Sequence, residues 1–280
     1  MSEKVAKPPV KWAGGKRQLL KHIVPLVDKP GKYGTYFEPF VGGGAVFFAL
    51  HARQKFVNAF LNDANQELMD LYWALSRSAS HLVQRVRHLL DSHPISEESF
   101  LHVREWSPTT PYDKAARFLY LNKTAYNGLY RVSKSGKFNA PYGRWPEDKL
   151  PTVLDADNLV ACGKALQSAT LSSFDFEQAV SNATAGDLVY FDPPYVPVKA
   201  DSFGNGYTKG GFSFADQQRL AALFTSLSER GVGVVASNSD TPLTRELYAG
   251  HRLIEVQARR AINSKGDGRG PVGELIILGG

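Results

Sequence analysis

The feature that most constrains this chain is a short apolar run that stops at two successive prolines. Leu188, Val189, Tyr190 and Phe191 lead into Asp192, Pro193, Pro194 and Tyr195. The run reads as a strand, and because neither proline has an N–H to give a neighbouring strand, it must end there. Asp192 and Tyr195 are thereby held at its carboxyl end, where open α/β sheets bind their ligands. A plain strand-ending turn is the alternative reading.

The flanking sequence alternates in the same way. Residues 35–50, TYFEPFVGGGAVFFAL, run from a short apolar and aromatic strand through three glycines into a helical stretch. A strand over 55–61 ends at Asn62 and Asp63, after which Leu68, Leu71, Tyr72 and Leu75 recur at helical spacing. From about 76 to 123 the pattern stays helical and the alternation stops. This predicts an inserted helical module at 66–155, including the polar, aromatic, glycine-bearing loop 126–145. Alternation resumes with a helix near 155–168, a short strand at 170–173 and the strand at 187–191. A helix at 214–230, an apolar run at 233–237 and β segments at 253–260 and 274–278 follow. The expected fold is α/β, a mostly parallel sheet formed by 1–65 and 156–280 and split by the helical insertion.

Composition excludes several classes. Of 280 residues 43% are hydrophobic and 21% charged, the balance of an ordinary globular chain. The net charge of +6 favours a polyanionic partner without demanding one. The longest apolar stretch, 41–50, is broken by three glycines and falls short of the ~18 residues of a membrane span. The first ten residues lack the apolar region of a secretory signal, so the expected location is the cytoplasm. A single cysteine, Cys162, excludes an internal disulfide and a thiolate zinc site, and is expected to be a small buried residue. The seven histidines are scattered, and no metal is expected.

The remaining motifs suggest chemistry. Glycines 42–44 let backbone approach a ligand closely, and the helix start behind them offers unpaired N–H groups and a positive dipole end suited to a carboxylate. Asp63 lies ~20 residues further on, the spacing at which nucleotide-binding α/β folds accept ribose hydroxyls. A purely structural glycine turn, and an Asp63 that caps the helix from Asn65 onward, are the bland alternatives. At Asp192 a carboxylate and a backbone carbonyl can accept both hydrogens of an exocyclic amino group, leaving the nitrogen lone pair free to attack a sulfonium methyl. Tyr195 can stack on the base, which must leave its duplex to reach such a site. KWAGGK at 11–16 places an aromatic, two glycines and two lysines ahead of the first strand. It lacks P-loop spacing and reads either as part of a site or as a solvated basic terminus.

In order, KWAGGK, EPFVGGG, NDAN, the helical insert and DPPY resemble the Dam/DpnM family of adenine-N6 DNA methyltransferases over most of the chain. Residues 118–144, FLYLNKTAYNGLYRVSKSGKFNAPYGR, are similar to the family's LYLN…YNGL-x-R…G-x-FN-x-P-x-G segment. The resemblance implies a Rossmann-like core, a seven-stranded and mostly parallel sheet, that uses S-adenosylmethionine and carries a helical target-recognition domain. It implies a monomer acting on double-stranded DNA, with no obligate protein partner. Trp12, Lys16, Phe40, Asp63 and Asp192 would contact S-adenosylmethionine, and Asp192, Pro193 and Tyr195 would hold the flipped adenine. Arg131 would read a guanine edge in the major groove. Tyr126, Asn127, Leu129 and Pro141 would pack against or wedge between bases. Lys11 and Arg144 would serve the DNA, Arg144 at phosphate. The tail is similar to the family's loop between its last two strands, with Lys265 and Arg269 meeting phosphate.

The implied site is GATC. Ser133, where the family commonly has Asn, and the variable Lys123, Thr124 and Ala125 depart from the pattern and leave the flanking bases open. Cytosine-C5 chemistry is disfavoured because Cys162 has no Pro-Cys context. An RNA adenine-N6 methyltransferase and a catalytically inactive DNA-binding module are the other readings, the intact DPPY weighing against the second.

Overall fold

The computed structural model describes residues 4–12, 14–28, 31–133, 136–197, 211–259 and 271–279. A tight helical turn at Lys16–Gln18 leads into α1 (Leu20–Val27), β1 (Tyr33–Glu38), α2 (Ala45–His51), β2 (Phe56–Asn62) and α3 (Gln66–Ser92). Then come α4 (Glu97–Glu105), α5 (Pro111–Thr124), α6 (Ala156–Leu166), β3 (Ala169–Ser172), α7 (Phe176–Ala179) and β4 (Leu188–Phe191). The chain closes with α8 (Phe214–Glu229), β5 (Gly233–Ser239), α9 (Pro242–Leu247), β6 (Arg252–Arg259) and β7 (Pro271–Leu278). Helix starts are marked in the sequence by side chains that accept the first free N–H groups. Asn65 caps α3, Ser96 α4, Thr110 α5 and Asp155 α6, while Ser213 and Asp216 form a reciprocal capping box on α8.

The seven strands form one sheet in the order β3-β2-β1-β4-β5-β7-β6. All neighbours are parallel except β7, which runs antiparallel to both β5 and β6. The strand order reverses between β1 and β4, which pair Tyr36 with Leu188 and Phe37 with Val189. Their carboxyl ends therefore lie side by side, and such a switch point is where doubly wound sheets leave a crevice.

The two-residue period of a strand divides the core into two layers. Tyr36, Leu188, Tyr190, Val235 and Ile276 face α1, α2, α3 and α6, while Phe37, Val189, Phe191, Val234, Ala236, Leu275 and Ile277 face α7, α8 and Tyr248. All four residues of β4 are buried, as both layers require. The first layer runs on without a break into Phe100, Phe118, Leu119, Tyr130 and Phe138, so α3 to α5 share a core with the sheet. α3 links the two regions. Its first half meets α6, where a Cβ on Gly163 would lie 2.7 Å from the Leu75 carbonyl oxygen. After a kink at Ser78, Arg85 pairs with Asp113 of α5. No described helix is long and apolar enough to cross a membrane.

Candidate active site at the carboxyl edge of the sheet

The glycine loop after β1 is shaped by contacts that leave no room for side chains. Gly42 (φ +48°) and Gly44 (φ +72°) adopt left-handed backbone, which glycine enters without the usual penalty. A Cβ on Gly42 would stand 2.7 Å from Trp12 Cδ1, and one on Gly44 2.9 Å from Phe48 Cε2. The Tyr72 hydroxyl donates to the Gly42 carbonyl at 2.7 Å. Asp63, just past β2, accepts Gly42 N at 3.0 Å through Oδ2 and Asn65 N at 2.9 Å through Oδ1. The cap of α3 is the Asn65 side chain, so Asp63 braces the glycine loop and is not a helix cap. Burial raises the Asp63 carboxyl to about 6 against the pull of these two N–H groups, and the negative charge of Asp192 adds to the rise.

Glu38 went unnoticed in the sequence although it opens the EPFVGGG motif. It is 3% exposed. Its Oε2 accepts the Tyr36 hydroxyl at 2.8 Å and Phe47 N at 3.1 Å, tying the end of β1 to α2. Burial holds its carboxyl well above the usual range.

The amino-terminal segment crosses this loop. Trp12 packs on Gly42 and Gly43 and stacks on Tyr130 with ring centres 5.5 Å apart. The fully buried Asn122 amide accepts Lys11 N at 3.0 Å and donates to Lys11 O at 2.8 Å, fixing the segment to the end of α5. Lys16 is only 7% exposed, so this is no solvated terminus. Its Nζ lies 2.9 Å from Asp192 Oδ1 and 4.4 Å from the centre of the Tyr195 ring, and it also donates to the Gly14 carbonyl.

Asp192, Pro193, Pro194 and Tyr195 follow β4 and are secured from β5, α8 and β7. Ser237 Oγ donates to Asp192 Oδ1 at 3.0 Å, and Tyr190 OH lies 2.9 Å from Ser237 Oγ. Gln217 Nε2 donates to Pro194 O at 2.8 Å, Val196 N to Asn238 Oδ1 at 2.9 Å, and Tyr195 OH to Glu274 Oε2 at 3.0 Å. Burial raises the Asp192 carboxyl above its ordinary value, opposed by Lys16 and then by the Ser237 hydroxyl. Both of these donors act on Oδ1. No described residue donates to Oδ2. Ser237, Asn238, Ser239 and Glu274 were missed from sequence. Their signal was a polar cluster, Ser237, Asn238 and Ser239, at the end of an apolar strand.

Trp12, Lys16, Asp63 and Asp192 thus meet around one edge. Phe40 sits beside it in the other layer, stacked on Phe176 at 5.6 Å and edge-on to Phe212 at 5.8 Å. A cavity of about 670 Å³ lined by Lys32, His51, Phe56 and Ser168 lies at the opposite end of the strands and holds none of these residues.

The segment expected as a loop at 126–145 is in part a hairpin. Ala125 bridges Tyr142, Val132 bridges Phe138, and Ser133 N donates to Lys137 O at 2.8 Å. Tyr126, Asn127, Arg131, Pro141 and Arg144 are exposed, Leu129 is half-buried, and Asn127 (φ +54°) and Arg144 (φ +50°) take left-handed backbone. Arg131 is held by Asn139 through Nε to Oδ1 at 2.8 Å and Nη2 to the carbonyl at 2.9 Å. Lys11 joins this surface, packed against Gly128 with its Nζ 5.3 Å from the centre of the Trp145 ring. Lys265 and Arg269 lie outside the described residues. Cys162 is fully buried, and burial pushes its thiol up to about 12.

Comparison with known proteins agrees with this chemistry. Residues 12–262 match the family model of D12 class N6 adenine-specific DNA methyltransferases. The type II methyltransferase M1.LlaDCHI of Lactococcus lactis subsp. cremoris is 41% identical, over 97% of this chain and 94% of that protein. M.MjaIII of Methanocaldococcus jannaschii is 39% identical over 97% and 98%. The DNA adenine methylase of Escherichia coli K12 is 35% identical over 96% and 94%. Among solved structures, a precorrin-6y C5,15-methyltransferase from Geobacter metallireducens aligns with a TM-score of 0.38 at 9% identity, over 97% and 98%. The family match spans most of the length, and the chain belongs to the D12 class of N6 adenine-specific DNA methyltransferases.

Proposed function

We propose that this enzyme methylates N6 of an adenine flipped out of duplex DNA, within GATC, using S-adenosylmethionine. The observation that carries the reading is Asp192 at the β1/β4 switch point. One of its oxygens is held by Lys16 and Ser237 while the other is left to a substrate, and the Tyr195 ring stands beside it.

The residues present fit the methyl donor. The glycine loop is packed on Trp12 and Phe48 with no side chain of its own at Gly42 and Gly44, and the acids Asp63 and Asp192 with Lys16 suit a ligand that combines a sulfonium cation with an amino-acid end. Trp12, Lys16, Phe40, Asp63 and Asp192 would hold it. When bound it supplies an electrophilic methyl group on sulfur.

The chain's own residues do the rest. Asp192 Oδ2 and the Pro193 carbonyl accept the two N6 hydrogens, turning the nitrogen lone pair toward the donor. N6 loses one proton for each methyl gained, and Asp192, whose carboxyl is raised by burial, is the base placed to take it. Tyr195 offers a face for the extruded base, repaying part of an unstacking cost of a few kcal/mol. One face of that ring has the Lys16 ammonium above it, so a base stacking on that face displaces the lysine. Positioning and electrostatics supply the rate in a direct in-line transfer, with no covalent enzyme intermediate.

We assign target recognition to 66–155. In it Arg131 takes a guanine edge, Tyr126, Asn127, Leu129 and Pro141 meet bases, and Arg144 meets phosphate, while Lys11 serves the DNA from outside it. The test is transfer of labelled methyl to two duplexes that differ only in GATC against GTTC, followed by identification of the modified base. N6-methyladenine in the GATC duplex alone is expected. Label in both discards the site, and label in neither, with structured RNA accepting methyl, discards the DNA reading. Asp192→Ala is expected to abolish transfer while DNA binding persists, and surviving transfer would remove Asp192 from its role.

A further inference from the structure

We propose that Ser237 is a positioning residue for methyl transfer: by donating to Asp192 Oδ1 it fixes which carboxylate oxygen is presented to the adenine amine. The inference rests on the reading of Asp192 as the acceptor of that amine.

Adjacent strands place the two residues together. β4 and β5 are parallel, with Phe191 opposite Ala236, so Asp192, the first residue past β4, lies beside Ser237, which continues in β5 opposite Ile276 of β7. Ser237 is 0% exposed and Tyr190 1%, so both hydroxyls must find partners inside the protein. Tyr190 OH lies 2.9 Å from Ser237 Oγ, which lies 3.0 Å from Asp192 Oδ1. An ionised carboxylate only accepts. The direction is therefore set: Tyr190 donates to Ser237, and Ser237 donates to Asp192.

Lys16 shares Oδ1, but its ammonium also lies over one face of the Tyr195 ring and belongs to the proposed cofactor set, so a base or a cofactor can draw it away. Ser237 is anchored in the sheet and stays. Without a fixed donor on Oδ1, the terminal torsion of an aspartate is broad and roughly two-fold, so either oxygen, at a range of angles, would meet the amine. Misplacement on that scale costs turnover, and costs cofactor affinity less, because Asp192 is one of five residues proposed to hold the donor.

The experiment compares Ser237→Ala, Tyr190→Phe and the double variant, measuring kcat, the KM for S-adenosylmethionine and the pH dependence of kcat. Ser237→Ala is expected to lower kcat by up to about 10²-fold with a much smaller change in KM. Its acid limb should move to higher pH, because the Ser237 hydroxyl is one of the groups that hold the Asp192 carboxyl down. Tyr190→Phe keeps the Ser237 to Asp192 bond and should turn over near the normal rate. The double variant removes both hydroxyls and so leaves no orphaned phenol inside. It should fold and behave like Ser237→Ala. Normal kcat in Ser237→Ala, or an equal loss in Tyr190→Phe, overturns the proposal. Transfer by Asp192→Ala would instead overturn the reading beneath it.

Discussion

At the scale of single residues, Asp63 shows how a site acid answers to pH. Its carboxyl sits at about 6 because burial outweighs the two N–H groups it accepts. Above that pH it is ionised and braces the glycine loop through Gly42. As pH falls through 6 it gains a proton and both bonds weaken. Binding of a non-reactive analogue of S-adenosylmethionine, followed by calorimetry from pH 8 to pH 5, should therefore weaken on the acid side of 6. Asp63→Asn should bind weakly with little pH dependence across that range, and an unchanged acid-side loss in this variant would assign the titration elsewhere. Asp63, Lys16 and Asp192 were legible because each lies within a short motif whose spacing carries chemistry. Glu38 and Ser237 were not. Each acts through a neighbour from another strand, and only the register of the sheet brings Ser237 beside Asp192.

At the scale of elements, the hairpin at 125–142 holds Arg131, the residue proposed to read a guanine, ready. Arg131 uses Nε and Nη2 on Asn139, which leaves the outer part of the guanidinium fork for a base edge. Arg131→Ala is expected to cost ~1–3 kcal/mol of discrimination at one guanine. Asn139→Ala removes the tie to Nε and keeps the one from Nη2 to the carbonyl, so the fork is held more loosely and discrimination at that same guanine should relax by less. Rates on duplexes with single substitutions in the site measure both. A loss spread evenly over every position would mean that the pair serves only phosphate. Sequence periodicity marked α2, α6, α8 and most strands within a residue or two, and showed the stretch to 123 as helical without separating α3, α4 and α5, but it did not mark α1, α7, α9 or the hairpin. α1 carries Pro25 within it, α7 and α9 span four and six residues, and the hairpin has two isolated bridges in place of regular strands. None of these leaves a clear period.

At the scale of the whole molecule, the layers were legible from alternating strands and helices, whereas the place of β7 between β5 and β6 was not, because late insertion of an antiparallel strand leaves no local trace. The shared core has a functional consequence. Trp12 lies between Gly42 and Gly43 of the glycine loop on one side and Tyr130 of the hairpin on the other, with Phe118 of α5 completing the stack at 6.3 Å. Tyr130 is itself fixed by its hydroxyl, 2.9 Å from Glu67 Oε2. The element to which we assign DNA reading thus sets the position of a residue in the proposed cofactor site. An aromatic pair is worth ~0.5–1.5 kcal/mol beyond its buried area. Tyr130→Leu, which keeps apolar bulk but loses the stack, should therefore weaken cofactor-analogue binding about 2- to 12-fold even without DNA. Tyr130→Phe keeps the stack and should bind nearly as the parent does. Titration calorimetry on the DNA-free protein separates the two. Equal affinities for all three proteins would show that Trp12 holds its place without the hairpin.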